Sequence, residues 1–270
     1  MSIADLHTHS TASDGQYAPA RLVELAKERG IQVLALTDHD SVDGVEEAGQ
    51  AGERLGVTVV RGIELGALEY RNLHILGYNF APEAPALASL CQKLRTGREE
   101  RVARLLDFLE EKGVPVAEEE VRRIAGGGAI GRPHFARVMV EKGYVQSNRE
   151  AFDRYLDTEE YQRIAPWKAT ARQCLEAIKA AGGKASLAHP YQLGLGDGPL
   201  RELVAQLKGW GLEGIECYYP VHTPRQQAFY LELARRYGLH PTGGSDFHGE
   251  KVKPDIQLAA LDLNTDWIFV

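Results

Sequence analysis

Two imidazoles, His7 and His9, stand two residues apart in Asp5-Leu6-His7-Thr8-His9, directly after an apolar run. Side chains two apart on an extended chain share a face, so the pair forms a two-ligand claw for a divalent ion. The same punctuation recurs along the chain. Asp38-His39-Asp40 ends Val33-Leu34-Ala35-Leu36, Glu64 follows Arg61-Gly62-Ile63, His189 follows Ala188, and Asp246 and His248 stand two apart after Gly243-Gly244-Ser245. Ending a buried run in ionisable groups is costly unless a metal or hydrogen bonds compensate. Asp38 and Asp40 could equally serve as carboxylates that fix the His39 tautomer. Read singly, Asp14 is an Asp-Gly turn residue, Glu64 a salt-bridged acid and His74, in Leu73-His74-Ile75, a core histidine. Read together, six histidines with Asp14, Glu64 and Asp246 all fall at or near strand ends. Nitrogen and oxygen donors without thiolate suit Mn2+, Fe2+ or Zn2+ better than a Ca2+ cage. No Ser or Cys nucleophile elbow is present.

The elements that must position these residues alternate. Ile3–Leu6 is a strand candidate, Pro19–Arg29 a helix with proline in its first turn and Gly30 at its end, and Val33–Leu36 a second strand. A helix over Val42–Leu55 and strands over Val57–Val60 and Leu73–Tyr78 follow. This order predicts a largely parallel sheet with helical crossovers. Such a sheet gathers its site at the C-terminal ends of its strands. Residues 85–170 differ. Helical patterns over Ala86–Lys112, Glu118–Ala125, Pro133–Glu141 and Arg149–Leu156, with a glycine loop at 126–128, predict a helical insertion with its own core, set between a barrel formed by 1–84 and 171–270. The alternation then resumes with a helix over Thr170–Ala181, strands over Ala185–Ala188 and Gly214–Tyr218, a helix over Arg225–Tyr237, and short strands near His240–Gly243 and Leu258–Leu263. His240 sits at the opposite end of its strand and is expected to be structural.

The chain of 270 residues is 44% hydrophobic and 26% charged, with a formal net charge of −7, as in an ordinary globular protein. An acidic chain with no Lys/Arg run argues against wrapping long duplex nucleic acid, yet leaves room for a small phosphorylated substrate. Cys91, Cys174 and Cys217 form no CxxC, so a reducing cytoplasm is expected. No apolar stretch approaches the roughly 18 residues of a membrane span, and Met1–Ser10 lacks the basic flank and apolar block of a signal peptide.

The ordered segments Asp5–Ser10, Thr37–Asp40, Gly62–Glu64, Leu73–Tyr78, Ala188–Pro190 and Ser245–His248 resemble the motif series of the polymerase and histidinol phosphatase (PHP) family of metal-dependent phosphoesterases. The resemblance implies an α/β fold, a distorted seven-stranded β/α barrel, with three divalent metal ions, Mn2+ foremost. It distributes the ligands: His7, His9 and Asp246 on one ion, Glu64 bridging to a second completed by His74 and His189, and Asp14, His39 and His248 on the third. Glu64, Asp246 and His222 are then the candidates for catalysis, with an ion-activated hydroxide as nucleophile and His222 or a water as the leaving-group acid. Six metal charges against three ligand carboxylates leave a local charge of about +3, which explains how an acidic chain could bind a phosphate ester.

Gly131-Arg132-Pro133-His134 in the insertion and Tyr218-Tyr219-Pro220-Val221-His222 resemble the subfamily that acts on small nucleotides. Arg132 offers a bidentate fork for phosphate, with His134, His222 and Lys168 beside it as substrate-binding candidates on the covered rim. An exposed arginine and a capping histidine explain the same residues without a ligand. Tyr218 and Tyr219 could stack a base or simply pack. The expected activity is removal of the 3′-phosphate from nucleoside 3′,5′-bisphosphates, with short oligoribonucleotides as further substrates. The alternatives are a histidinol-phosphate-type monoesterase and a non-catalytic, polymerase-associated metal-binding module.

Overall fold

The computed structural model describes residues 1–126, 130–164 and 167–270. The chain divides into two compact units, Met1–Cys91 with Ala169–Val270, and Gln92–Lys168.

In the first unit, β1 (Ser2–Thr8), β2 (Val33–Leu36), β3 (Thr58–Gly66), β4 (His74–Tyr78), β5 (Lys184–Leu187), β6 (Gly214–Tyr218), β7 (His240–Gly243) and β8 (Leu261–Leu263) form one sheet. Its order is β7-β6-β5-β4-β3-β2-β1-β8, so the seven strands that the family resemblance implies are flanked by a short eighth, within the strand expected near Leu258–Leu263. After β7 the chain runs back along β1. Asp246 N–H donates to His7 O at 2.8 Å and His9 N–H to Phe247 O at 2.9 Å, which brings the sheet close to barrel closure. Gly244 permits this approach, because a Cβ there would collide with His7 Cβ and the His7 backbone nitrogen.

Helices α1 (Pro19–Glu28) and α2 (Val45–Leu55) cover the outside of the first strands. Leu22, Val23 and Ala26 of α1 and Ala48 and Ala51 of α2 pack with Leu34 and Leu36 of β2. The alternate residues Val33 and Ala35 face inward with Ala4, Leu6, Leu76 and Tyr78, over Trp267 and Ile268 from the C-terminal turn. Helices α8 (Ala171–Ala180), α9 (Asp197–Gly209) and α10 (Pro224–Tyr237) complete the first unit.

Two departures from the expected strands matter for the site. First, β4 is antiparallel to both β3 and β5. The link 67–73 between β3 and β4 is too short for a parallel crossover, which needs about a dozen residues or more. Second, the β1–β2 register shifts between Asp5 and Thr8. One extra residue resets the alternation, so Leu6 stays in the core while His7 also enters the site.

Asp5 ties the barrel ends together. Its buried carboxylate accepts Ser245 N–H at 2.9 Å, Ser245 Oγ–H at 2.6 Å and Ala259 N–H at 2.8 Å. Burial pushes this carboxyl up to about 6 against those hydrogen bonds. Asp5→Asn sets an NH2 donor against these donors and is expected to cost about 1–3 kcal/mol. Urea denaturation of the metal-free protein measures it, and an unchanged midpoint with unchanged slope would dismiss the tie.

The second unit has its own core, including Leu105, Phe108, Leu109, Val121, Phe135, Met139 and Leu156. It is built from most of α3 (Pro85–Glu111), with α4 (Glu118–Ala125), α5 (Arg132–Glu141), α6 (Asn148–Ala151) and α7 (Glu159–Ile164). The helix expected over 149–156 turns π-helical from Phe152 to Leu156. The glycine loop expected at 126–128 lies, beyond Gly126, outside the described residues. Among the described residues no helix is long and apolar enough to cross a membrane, and the three cysteines are buried and form no disulfide.

Candidate metal centre

The site is organised around Glu64, which lies within β3 rather than at its end. His39 pairs with Glu64 through the backbone, with Asp40 N–H donating to Glu64 O at 2.9 Å. Because β4 runs antiparallel, its first residue, His74, stands opposite Gly66 on the rim where the parallel strands end. The fully buried Glu64 carboxylate then meets five imidazoles. Oε1 lies 2.6 Å from His74 Nδ1 and 2.9 Å from His189 Nε2. Oε2 lies 3.1 Å from His39 Nδ1, 3.2 Å from His9 Nε2 and 3.3 Å from His7 Nε2.

Asp246 Oδ1 sits 3.3 Å from His9 Nε2, 3.7 Å from His7 Nε2 and 3.3 Å from His248 Nδ1. Its Oδ2 accepts Tyr219 Oη–H and Lys253 Nζ–H, both at 2.7 Å. Asp14 reaches His248 Nε2 at 3.3 Å and His39 Nε2 and His9 Nδ1 at 3.8 Å. Asp38 does not approach His39 as a tautomer-setting partner. It accepts Ser10 N–H at 2.8 Å and Ser13 Oγ–H at 2.6 Å, which holds the turn that carries Asp14. Non-glycine residues Asp40, His189 and Asp246 have positive φ of 53°, 22° and 56°. Such backbone costs about 1–3 kcal/mol each and persists where the surroundings over-determine it.

The electrostatics follow from burial among opposite charges. Burial alone would raise the Glu64 carboxyl, but His39, His74 and His7 hold it well below the usual carboxylate range. Burial opposes charge on His9, but Asp246 and Glu64 outweigh it and push the imidazole up to about 9. In His39 burial prevails and lowers the imidazole to about 3.

Divalent ions fit this donor set. His7 Nε2, both His9 ring nitrogens, Glu64 Oε2 and His189 Nδ1 are buried and aligned with no hydrogen-bond partner. Orphaned donors and acceptors of this kind are rare unless something else satisfies them. Three groups each offer ligand atoms within 4.8 Å of one another: His7, His9, Glu64 and Asp246; His39, Glu64 and His74; and His9, Asp14, His39 and His248.

All nine ligand candidates lie in the first unit and converge. Arg132, His134 and Lys168 belong to the second unit. There Arg132 Nη1–H donates to Leu156 O at 3.1 Å and to Asp157 Oδ1 at 3.2 Å. His134 Nδ1 accepts Gly131 N–H at 2.9 Å, the helix-capping bond that the plainer reading anticipated. In the first unit His222 donates Nδ1–H to Cys217 O at 3.0 Å, and its Nε2 is buried without a partner. Burial lowers its pKa, so the ring is neutral and Nε2 carries a lone pair. To serve as an acid, that nitrogen must first take up a proton.

Sequence reasoning missed Glu216 and Lys253, and considered Tyr219 only for stacking. Glu216, a lone acid in the apolar strand Gly214-Ile215-Glu216-Cys217, carried the same signal as Glu64. Nothing local marked Lys253.

A family profile described as the PHP domain matches residues 5–165. A 5′-3′ exoribonuclease of Haemophilus influenzae is 36% identical over 90% of this chain and 89% of its own. A phosphoribosyl 1,2-cyclic phosphate 1,2-diphosphodiesterase of Eggerthella lenta is 36% identical over 92% of this chain and 95% of its own. A 3′,5′-nucleoside bisphosphate phosphatase of Chromobacterium violaceum is 33% identical over 92% of this chain and 88% of its own. Among solved structures, an amidohydrolase of Chromobacterium violaceum, with sulfate bound and no metal, superposes with TM-score 0.83 at 31% identity, covering 97% of this chain and 92% of that one. A His/Asp/Glu cluster at a barrel rim and relatives that are phosphatases, phosphodiesterases and nucleases lead to one conclusion: the chain belongs to the PHP family and is a metal-dependent phosphoric ester hydrolase.

Proposed function

We propose that this enzyme removes the 3′-phosphate of nucleoside 3′,5′-bisphosphates and also trims short oligoribonucleotides, with three divalent ions, Mn2+ foremost and Fe2+ or Zn2+ as alternatives. The observation that carries phosphoester chemistry is the buried Glu64 carboxylate facing five imidazoles, with His7 Nε2, His9 Nε2 and Glu64 Oε2 left without a hydrogen-bond partner. His7, His9 and Asp246 would hold one ion, with Glu64 shared with a second beside His74 and His189. Asp14, His39 and His248 would hold the third. Divalent ions held there acidify water, bringing its pKa from about 15.7 toward 7, and neutralise phosphoryl oxygens.

The protein's own groups orient this chemistry. Tyr219 and Lys253 hold Asp246 Oδ2 so that Oδ1 faces His7 and His9. The Asp246 backbone carbonyl accepts His248 Nδ1–H at 2.9 Å and turns its Nε2 toward Asp14. His222 offers an acceptor at Nε2, suited to a protonated phosphate oxygen or a water.

The nucleotide class is supported by the exoribonuclease and bisphosphate phosphatase relatives and by the Gly131–His134 and Tyr218–His222 segments. The second phosphate is assigned from the sequence alone to Arg132, His134 and His222, with Lys168 beside them. The cyclic phosphodiesterase relative supports a second reading, opening of a cyclic phosphodiester. A screen with Mn2+ over a nucleoside 3′,5′-bisphosphate, the matching monophosphate, short 5′-phosphorylated RNA, phosphoribosyl 1,2-cyclic phosphate and histidinol phosphate ranks these by kcat/KM. The bisphosphate is expected to lead, and a higher value for the cyclic ester or histidinol phosphate would displace the proposal. A charge-assisted contact is worth about 1.5–3 kcal/mol. Arg132→Ala should therefore lower kcat/KM for the bisphosphate by roughly one to two powers of ten more than for the monophosphate. Equal falls would make Arg132 structural, through its bonds to Leu156 O and Asp157.

A further inference from the structure

Glu216 stands on β6 and is 1% exposed. Among the described residues its ion-pair partner is a single histidine: Oε1 lies 3.2 Å from His7 Nδ1. Its other oxygen, Oε2, accepts the backbone N–H of His189 at 2.6 Å. One carboxylate therefore meets two of the metal-facing histidines, on β1 and after β5, and touches neither of the His7 and His189 nitrogens that face Glu64. Burying a carboxylate costs several kcal/mol in effective desolvation, so it is weak evidence for stability and asks for another reason.

We propose that Glu216 is a positioning residue for the ion cluster, acting on His7 through its tautomer and on His189 through its backbone. The proposal rests on the reading of these histidines as ligands. An ionised carboxylate only accepts hydrogen bonds. The neutral His7 that an ion requires must then carry its proton on Nδ1, and its lone pair is committed to Nε2, the atom 3.3 Å from Glu64 Oε2 and 3.7 Å from Asp246 Oδ1. A histidine facing no such partner divides its proton between the two nitrogens, and the Nε2–H form cannot bind an ion there. His189 presents the second problem. Its φ of 22° and ψ of 62° lie outside the usual basins, and its N–H donates to a side chain rather than to a strand. The short bond to Glu216 Oε2 satisfies that N–H and holds the turn that points Nε2 at Glu64 Oε1, 2.9 Å away. The β6 strand thus sets the geometry of one ligand on β1 and one after β5 without meeting substrate.

Nitrogen-15 NMR of the metal-free wild-type protein, recorded at a pH high enough to leave His7 neutral, should show the Nδ1–H tautomer, and addition of Zn2+ should perturb Nε2. Glu216→Gln keeps the side-chain size but offers one acceptor oxygen where two are used. Its amide NH2 then faces either His7 Nδ1, which favours the Nε2–H tautomer, or the His189 N–H. Competition for Zn2+ against a chromophoric chelator should show affinity lower by roughly 10- to 100-fold, the usual effect of removing a partner behind a ligand, with the circular dichroism of the folded protein retained. A neutral wild-type His7 whose only ring proton is on Nε2 overturns the proposal, and does so even if the variant fails to fold. Unchanged Zn2+ affinity and an unchanged His7 tautomer in a folded Glu216→Gln protein overturn it as well. Wild-type protein that takes up no Zn2+ or Mn2+ would instead sink the reading of the cluster itself.

Discussion

Glu64→Gln is expected to lower kcat by at least about a hundredfold with saturating Mn2+, while the folded far-UV spectrum persists. The two oxygens of Glu64 face different sets of imidazoles, His74 and His189 on one side and His39, His9 and His7 on the other. That arrangement suits a carboxylate shared between ions, and an amide can offer only one neutral oxygen. Polarisation of a phosphoryl oxygen and of water by ions is worth several kcal/mol, and each 1.36 kcal/mol is about tenfold in rate. Ion content per chain should fall in parallel. Turnover within about twofold of wild type, with ions supplied, would remove Glu64 from the reaction.

Stripping divalent ions should lower Tm by roughly 8–16 °C, and the loss should grow as pH rises. An ion present at about a thousand times its Kd adds about 4 kcal/mol, and a chain of this size gains roughly 2–4 °C per kcal/mol. The pH dependence follows from the imidazoles. Burial works against charge on His9 and His7, but the surrounding carboxylates raise both, His9 to about 9. In the stripped protein their protonated forms stabilise the fold fully below about 6.5, and this contribution is lost as pH climbs toward 9. His39, lowered by burial to about 3, acts oppositely: its contribution is lost as pH falls from about 6.5 toward 3. Asp14, Glu64 and Asp246, held below the usual carboxylate range despite burial, also lose their contribution on acidification. Stripped protein should therefore melt highest near pH 6.5. Ions need neutral imidazoles, so loaded protein gains as pH rises from about 6 to 8. Calorimetry with and without chelator across this range tests both claims, and a gap in Tm that stays constant from pH 6 to 9 would contradict them.

Much of this site could be read before folding was considered. Apolar runs that stop at His7, His39, Glu64 and His189 are local patterns, and the cost of burying an ionisable group is a property of the residue type. The helices and strands emerged within a few residues of their limits wherever periodicity, a proline start or a glycine stop was present, as in α1, α2 and α10. Only the tertiary structure decided the rest. His74 reaches the rim because β4 is antiparallel, a choice made by pairing partners on both sides. His7 and Leu6 both serve the interior because the register slips against β2, which an isolated strand does not reveal. Glu216 looked like any buried acid until β6 came to lie beside β5 and set its two oxygens against His189 and His7. Residue types and their spacing determined which groups could bind ions, since those signals act over a few residues. Long-range pairing decided which of them meet and which tautomer and backbone each adopts, because those depend on distant partners such as Glu216, 209 residues from His7 in sequence.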